Sequence, residues 1–268
     1  MRIEDLDVER SKQSWIDMVQ RDFETLGLVW DEGPFFQHDR SDAYRAAYEK
    51  IQHVARVYPC FCTRADLRVA SAPHRGEKLV YPGTCRGLSD EDIRARSVSR
   101  PPSYRLMVPD ADYELDDLVQ GRFAQNLSRE CGDFVIRRSD GLFAYQIAVV
   151  VDDAEQGVNC VVRGMDLLVS TPQQLFLQDI LGFQHPRYAH VPLLVGERDR
   201  RLSKRDRDAG MDELLSRFKT PEGIIGHVAA LTNLIEEEEP LSMDELLGRF
   251  DLNRLKSTFP DAVQIQWR

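Results

Sequence analysis

Two cysteines one residue apart, Cys60 and Cys62, follow directly on a helix stop, and a third, Cys85, closes the stretch behind them. Thiols brought together at that spacing pin two loops to one point, which few local folds permit. Tetrahedral zinc takes four such ligands, commonly in pairs from two short loops. His74 and Tyr81 are the local candidates for the fourth; Tyr81-Pro82-Gly83-Thr84-Cys85 puts Tyr81 on the same turn as Cys85. The alternative is three reduced cysteines in a small core. The chain carries five cysteines in 268 residues, an odd count that does not read as a disulfide framework. Cys131 and Cys160 flank or lie in predicted strands and are expected as buried apolar residues.

Around this cluster the hydrophobic pattern changes period. Over residues 11–26, Trp15, Met18, Val19, Phe23 and Leu26 recur at helical spacing, and Gly27 is a natural stop. A second helix is predicted from a Ser41 cap, with Tyr44, Ala47, Tyr48, Ile51, Val54 and Ala55 on its buried face and Tyr58-Pro59 as its end. Residues 134–136 and 144–151 read as strands separated by the turn Ser139-Asp140-Gly141, and residues 159–163 as a third strand. Ser170-Thr171-Pro172 opens a helix towards Gly182, with a hydroxyl cap and a proline in its first turn. Beyond Leu202 the pattern is helical, and the acidic run from Glu236 to Glu239 is broken by Pro240. The expectation is an α/β chain in four parts: residues 1–58, an inserted α+β module over 59–130, residues 131–192, and a helical region over 193–268.

The 45 acidic side chains outnumber the 35 basic ones, a formal net charge of −10. Neutralising nucleic-acid phosphate in bulk needs a basic surface, so a coat protein is excluded; an enzyme that touches RNA through a local patch is not. Arg198, Arg200, Arg201, Lys204, Arg205 and Arg207 form one basic loop. It can neutralise charge developing on a polyphosphate, or be a solvated stretch. Arg163, at a predicted strand end before Gly164, can aim a guanidinium at a ligand carboxylate. Tyr145, within an apolar run, is either a core tyrosine or a ligand contact, while Glu4 and Asp5 either orient an ammonium group or cap the next turn. No apolar run is long enough to span a bilayer. No secretory signal opens the chain, and a cytoplasmic protein is expected.

Five segments then occur in a telling order: Arg2-Ile3-Glu4-Asp5-Leu6-Asp7 with Arg10; Gly27-Leu28-Val29-Trp30-Asp31-Glu32-Gly33-Pro34; Asp140-Gly141-Leu142-Phe143-Ala144-Tyr145-Gln146; Arg163-Gly164-Met165-Asp166-Leu167-Leu168; and Arg201-Leu202-Ser203-Lys204-Arg205. In that order they resemble the catalytic core of glutamyl-tRNA synthetases, which are class I aminoacyl-tRNA synthetases, over nearly the whole chain. The last segment looks like the KMSKS loop. The resemblance implies a Rossmann-like parallel sheet with an inserted zinc-containing module. It implies Glu4, Tyr145 and Arg163 as glutamate contacts, Ser203 and Lys204 as ATP contacts with Lys204 catalytic, and Cys60, Cys62, Tyr81 and Cys85 as ligands of one structural zinc.

The cysteine cluster and the short stretch after Lys204 are most similar to the branch that lacks an anticodon-binding domain, the glutamyl-Q tRNA(Asp) synthetases. That implies activation of L-glutamate by ATP, with Mg2+, and transfer to the queuosine base in the anticodon of tRNA(Asp) by a monomer. The alternatives are a glutamyl-tRNA synthetase fragment acting on tRNA(Glu), and a non-catalytic zinc-stabilised remnant. The family pattern also has a strand, a HIGH-type histidine loop and a helix ahead of Arg2. None of the six histidines stands in that context, so a start further upstream is expected for the active enzyme.

Overall fold

The chain enters on a short strand, β1 (Arg2–Ile3), and the apolar stripe behind it winds into α1 (Gln13–Thr25), which stops where Gly27 takes a φ of 71°. The computed structural model describes residues 1–9, 11–63, 65–67, 80–195, 210–256 and 262–264. Strand β2 (Phe35–Phe36) pairs parallel with β1 and leads through a 3-10 turn into α2 (Ser41–Val54). Tyr44, Ala47, Tyr48 and Ile51 are buried as the period predicts. Three expectations for this helix are corrected. Arg40, not Ser41, occupies the cap position, and the Ser41 hydroxyl turns back to donate to the His38 carbonyl. Val54, the last helical residue, is exposed. Tyr58 and Pro59 belong to the next strand, after the helix has already ended.

That strand, β3 (Val57–Cys60), pairs antiparallel with β4 (Ser103–Leu106); between them lies α3 (Asp90–Ser99), started by a capping box of Ser89 and Asp92. A hairpin follows, β5 (Asp112–Asp117) with β6 (Gly121–Asn126), and β7 (Phe134–Arg137) adds to β4 to complete a three-stranded sheet.

The run over 144–151 is not a strand. It is a helix, α4 (Tyr145–Glu155), in which residues Ile147 to Asp153 are all buried. A helix covered on every side shows no polar face, so its sequence loses the 3.6-residue signature and an apolar run of five reads equally well as a buried strand. Strand β8 (Cys160–Gly164), α5 (Thr171–Leu181) and β9 (Arg187–Val191) then form a βαβ unit whose strands pair parallel. Pro172 sits in the first turn of α5 and Gly182 caps its end at φ 72°, as expected, but Ser170 makes no side-chain cap. Strand β10 (Leu193–Val195) pairs parallel with β11 (Ala262–Gln264). Helices α6 (Met211–Phe218), α7 (Pro221–Leu231), α8 (Met243–Arg249) and α9 (Leu252–Lys256) make up the helical end.

Helices α2, α4 and α5 pack with β7 around the main core. Among the described residues the parallel pairs lie in separate two-stranded sheets rather than one continuous sheet. Side chains join them: Asp152 and Asp153 of α4 reach back to Arg2 on β1. Cys131 and Cys160 are only half-buried, against the expectation of full burial. No helix among the described residues is long and apolar enough to cross a membrane.

Candidate functional site

The end of β8 carries Arg163, and the parallel register sets His190 of β9 opposite it. Arg163 Nε donates to His190 Nε2 at 3.0 Å, and its Nη2 donates to Thr171 Oγ1 at 2.8 Å. The guanidinium carbon lies 5.3 Å from the centre of the Tyr188 ring. Both hydrogen-bond acceptors are uncharged, and none of the ion pairs among the described residues involves Arg163. The guanidinium is thus half-buried with no carboxylate in contact, the charge of Asp153 acting on it only at longer range, an arrangement that favours an anionic ligand. Gly164 has no room for a side chain: a Cβ there would stand 2.7 Å from Asp166 Oδ1 and 3.0 Å from Leu193 Cδ2.

Tyr145 is the first residue of α4, not a mid-strand residue. Burial pushes its hydroxyl up; Arg163 opposes that shift, while Glu4 and Asp153 add to it. Of the three residues expected to hold an amino acid, Glu4 and Arg163 therefore both come close enough to act on Tyr145. Arg2 binds the cluster together. Its Nη1 donates to Asp153 Oδ1 at 2.7 Å and Gln156 Oε1 at 3.1 Å, and its Nη2 to Glu4 Oε1 at 3.2 Å. Burial also raises the Asp153 carboxyl, with Arg2 and Arg163 drawing it back. Asp153 escaped the sequence reading because a carboxylate just past an apolar run, in a short acidic stretch, carries no motif. Of the two acids at the end of β1, Asp5 is buried and does not cap the turn that follows it; it reaches the 3-10 turn 33 residues on, accepting from the His38 backbone N–H at 3.1 Å and pairing with the His38 ring. Both Glu4 and Asp5 border an open groove of about 690 Å³, with Lys12, Trp15 and Trp30 on its other walls.

The second centre is the cysteine cluster. The sulfurs of Cys60, Cys62 and Cys85 lie within 4.8 Å of one another, with Cys62 and Cys85 3.6 Å apart. The Tyr81 hydroxyl stands 3.4 Å from Cys60 Sγ and 3.9 Å from Cys62 Sγ. Tetrahedral thiolates at a zinc–sulfur distance of about 2.3 Å are separated by about 3.8 Å, so three thiols and a phenol at these spacings fit one small cation. Burial pushes the Cys62 thiol up to about 12, helped by the crowded Cys60 and Cys85. For Cys60 burial acts the same way, yet hydrogen bonding with Tyr81, the Cys62 backbone and Arg105 outweighs it and the thiol is lowered. Arg105 lies beneath the cluster, its Nε 3.2 Å from Cys60 Sγ and its guanidinium carbon 3.9 Å from the Tyr81 ring centre. Gly132 completes the cradle at φ 69°, where a Cβ would stand 2.7 Å from the Tyr81 nitrogen. His74, Ser203 and Lys204 lie outside the described residues.

The profile described as tRNA synthetases class I (E and Q), catalytic domain, matches residues 1–264. A protein of Symbiobacterium thermophilum named glutamyl-Q tRNA(Asp) synthetase is 42% identical, the match covering 95% of this chain and 82% of that protein. The protein of that name in Geobacter sulfurreducens is 48% identical over 77% of this chain, and the match spans 64% of its own length. The crystal structure of a glutamate tRNA ligase from Elizabethkingia meningosepticum in complex with its amino acid superposes with a TM-score of 0.77 at 27% identity, covering 99% of this chain and 60% of that one.

Proposed function

The chain belongs to the class I tRNA synthetase family for glutamate and glutamine, matching its Rossmann-like α/β catalytic domain, and on that premise we propose that it activates L-glutamate with ATP and transfers it to the queuosine base of tRNA(Asp). The reading rests on one observation above all: Arg163, a half-buried guanidinium bonded only to uncharged groups beside Tyr145 and Glu4. Such a group selects a carboxylate, and in glutamate the carboxylate that does not react is the one available for recognition.

In this reading Arg163 receives the side-chain carboxylate of glutamate, Glu4 orients the ammonium group, and the Tyr145 hydroxyl bonds to the bound amino acid. An oxygen of the other carboxylate attacks the α-phosphorus of ATP in line. The bond to the bridging oxygen breaks, and pyrophosphate leaves. A hydroxyl of the modified base then attacks the carbonyl carbon of the glutamyl-adenylate, loses its proton and displaces AMP. Ser203 and Lys204 hold the phosphates, with Mg2+ as the companion of ATP. Positioning and electrostatics supply the rate, with no covalent enzyme intermediate. Cys60, Cys62, Tyr81 and Cys85 would hold one zinc ion, which supplies a structural cross-link between β3 and the Tyr81 turn.

Charging with labelled glutamate tests this. Label is expected on the anticodon fragment of queuosine-containing tRNA(Asp) after nuclease cleavage, and none on tRNA(Asp) without queuosine. Label on the 3′ end of tRNA(Glu), or none on either RNA, would overturn it.

A further inference from the structure

His190 and Asp117 are wholly buried, lie 73 residues apart in sequence and make no approach to the groove beside Glu4, yet their geometry bears on Arg163. His190 Nδ1 stands 2.6 Å from Asp117 Oδ2, and His190 Nε2 receives the Arg163 Nε–H. One ring nitrogen therefore has to donate and the other to accept. A carboxylate at Nδ1 settles which: Nδ1 carries the proton, and Nε2 offers a lone pair to Arg163. We infer that Asp117 and His190 are positioning residues that fix the rotamer of Arg163, so that its Nη1 end faces the glutamate carboxylate and the site prefers glutamate to glutamine. The inference rests on the glutamate reading of Arg163.

The argument lies in how the five guanidinium hydrogens are used. Nε and one Nη2 hydrogen are taken by His190 and Thr171, which consumes one edge of the planar fork. The remaining Nη1 and Nη2 hydrogens form the end that a carboxylate can meet with two bonds. Arg side chains carry much rotamer freedom, and an acceptor at Nε removes it before the ligand arrives. The acceptors are also rigid themselves. The His190 ring lies nearly parallel to Tyr188, at 15° and a centroid distance of 5.9 Å, and the Tyr188 hydroxyl accepts from Gln178 at 3.2 Å. Asp117 is held from the far side by the backbone N–H groups of Val119 and Gln120, both at 2.9 Å. A carboxylate acceptor in place of His190 would instead have neutralised Arg163 and spent its charge. An imidazole fixed in one tautomer orients the guanidinium and leaves the charge for the ligand.

The test is calorimetric binding of glutamate and glutamine to the full chain and three variants. In His190→Gln the side-chain oxygen reaches the Nε2 position and still accepts from Arg163. In His190→Asn the amide reaches only the Nδ1 position and keeps Asp117 instead. Thr171→Val is isosteric and removes the Nη2 acceptor. The expected result is at least a tenfold loss of glutamate affinity in His190→Asn, a smaller loss in Thr171→Val, and near-native affinity in His190→Gln, with glutamine binding little changed in all three. A purely structural histidine would give the opposite order for His190→Asn and His190→Gln, tracking thermal stability, and that order would overturn the inference. If His190→Asn does not fold, a Thr171→Val chain with native glutamate affinity would overturn it as well. A wild-type chain that binds no glutamate removes the functional reading and the inference together. A wild-type chain that binds it, with affinity unchanged in every variant, sinks the inference alone.

Discussion

Asp117 shows how one side chain can carry several contacts at once. Burial opposes its ionisation, but hydrogen bonds from the His190 ring and from the backbone N–H groups of Gln120, His190 and Val119 outweigh that and hold its carboxyl below the usual range. A carboxyl depressed in the folded state stabilises the fold fully above the unfolded value near 3.9, and the contribution is lost as pH falls below that towards the folded value. Asp117→Asn should therefore lower stability by about 1–3 kcal/mol at pH 7, and the gap to wild type should narrow as the pH is taken from 5 to 3. Thermal melts across that range check the sign; a constant gap would show that the charge contributes nothing. At this scale the sequence is unevenly informative. Glu4, Tyr145 and Arg163 stand in short ordered strings and can be picked out without a structure. His190 and Asp117 cannot, because a histidine and an aspartate 73 positions apart carry no pattern until a parallel ladder and a hairpin bring them together.

Among the elements, the cysteine cluster was legible because its spacing is local: β3 ends at Cys60, and the Tyr81 turn delivers two more donors. What supports the cluster was not. Arg105 comes from β4 and bonds to Cys60 Sγ, while its Nη1 donates to the Asp133 carbonyl at 2.7 Å. Groups that orient metal ligands commonly contribute 10–100-fold to affinity. Arg105→Met should weaken zinc binding by about that factor in a competition titration against a chelator, with metal content near one per wild-type chain. Equal affinity in the two proteins would remove Arg105 from this role. Helix α4 teaches the complementary lesson. Tyr145 to Val151 carries enough β-branched residues to look extended, and only packing against both α2 and α5 makes it helical. Propensity over so short a stretch is weak against the burial of a whole helix surface.

For the whole molecule, Asp152 is the joint. Wholly buried, it accepts from Gln37 Nε2 at 2.7 Å, Arg40 Nε at 2.6 Å and the Tyr44 hydroxyl at 2.9 Å, tying α4 to α2 and to the turn that leads into it. Asp152→Ala would leave the buried Gln37 and Tyr44 donors unanswered and strip the half-buried Arg40 of one of its two carboxylates, and urea unfolding should show a loss of about 3–5 kcal/mol; a loss below about 1 kcal/mol would mean water replaces the carboxylate. The sequence alone determined the chemistry that can be delivered locally: the clustered thiols and phenol of Cys60, Cys62, Tyr81 and Cys85, the boundaries of α1 and α5, the ordered segments that carry the family resemblance, and the placing of Arg163 at a strand end. Tertiary structure decided the rest: that α4 is a helix, that Asp152 and Asp153 hold the first strand, and that His190 faces Arg163. The reason is physical. Spacing along the chain governs contacts within a turn or two, whereas the burial of an element on all sides and the pairing of distant polar groups depend on neighbours that the local sequence does not contain.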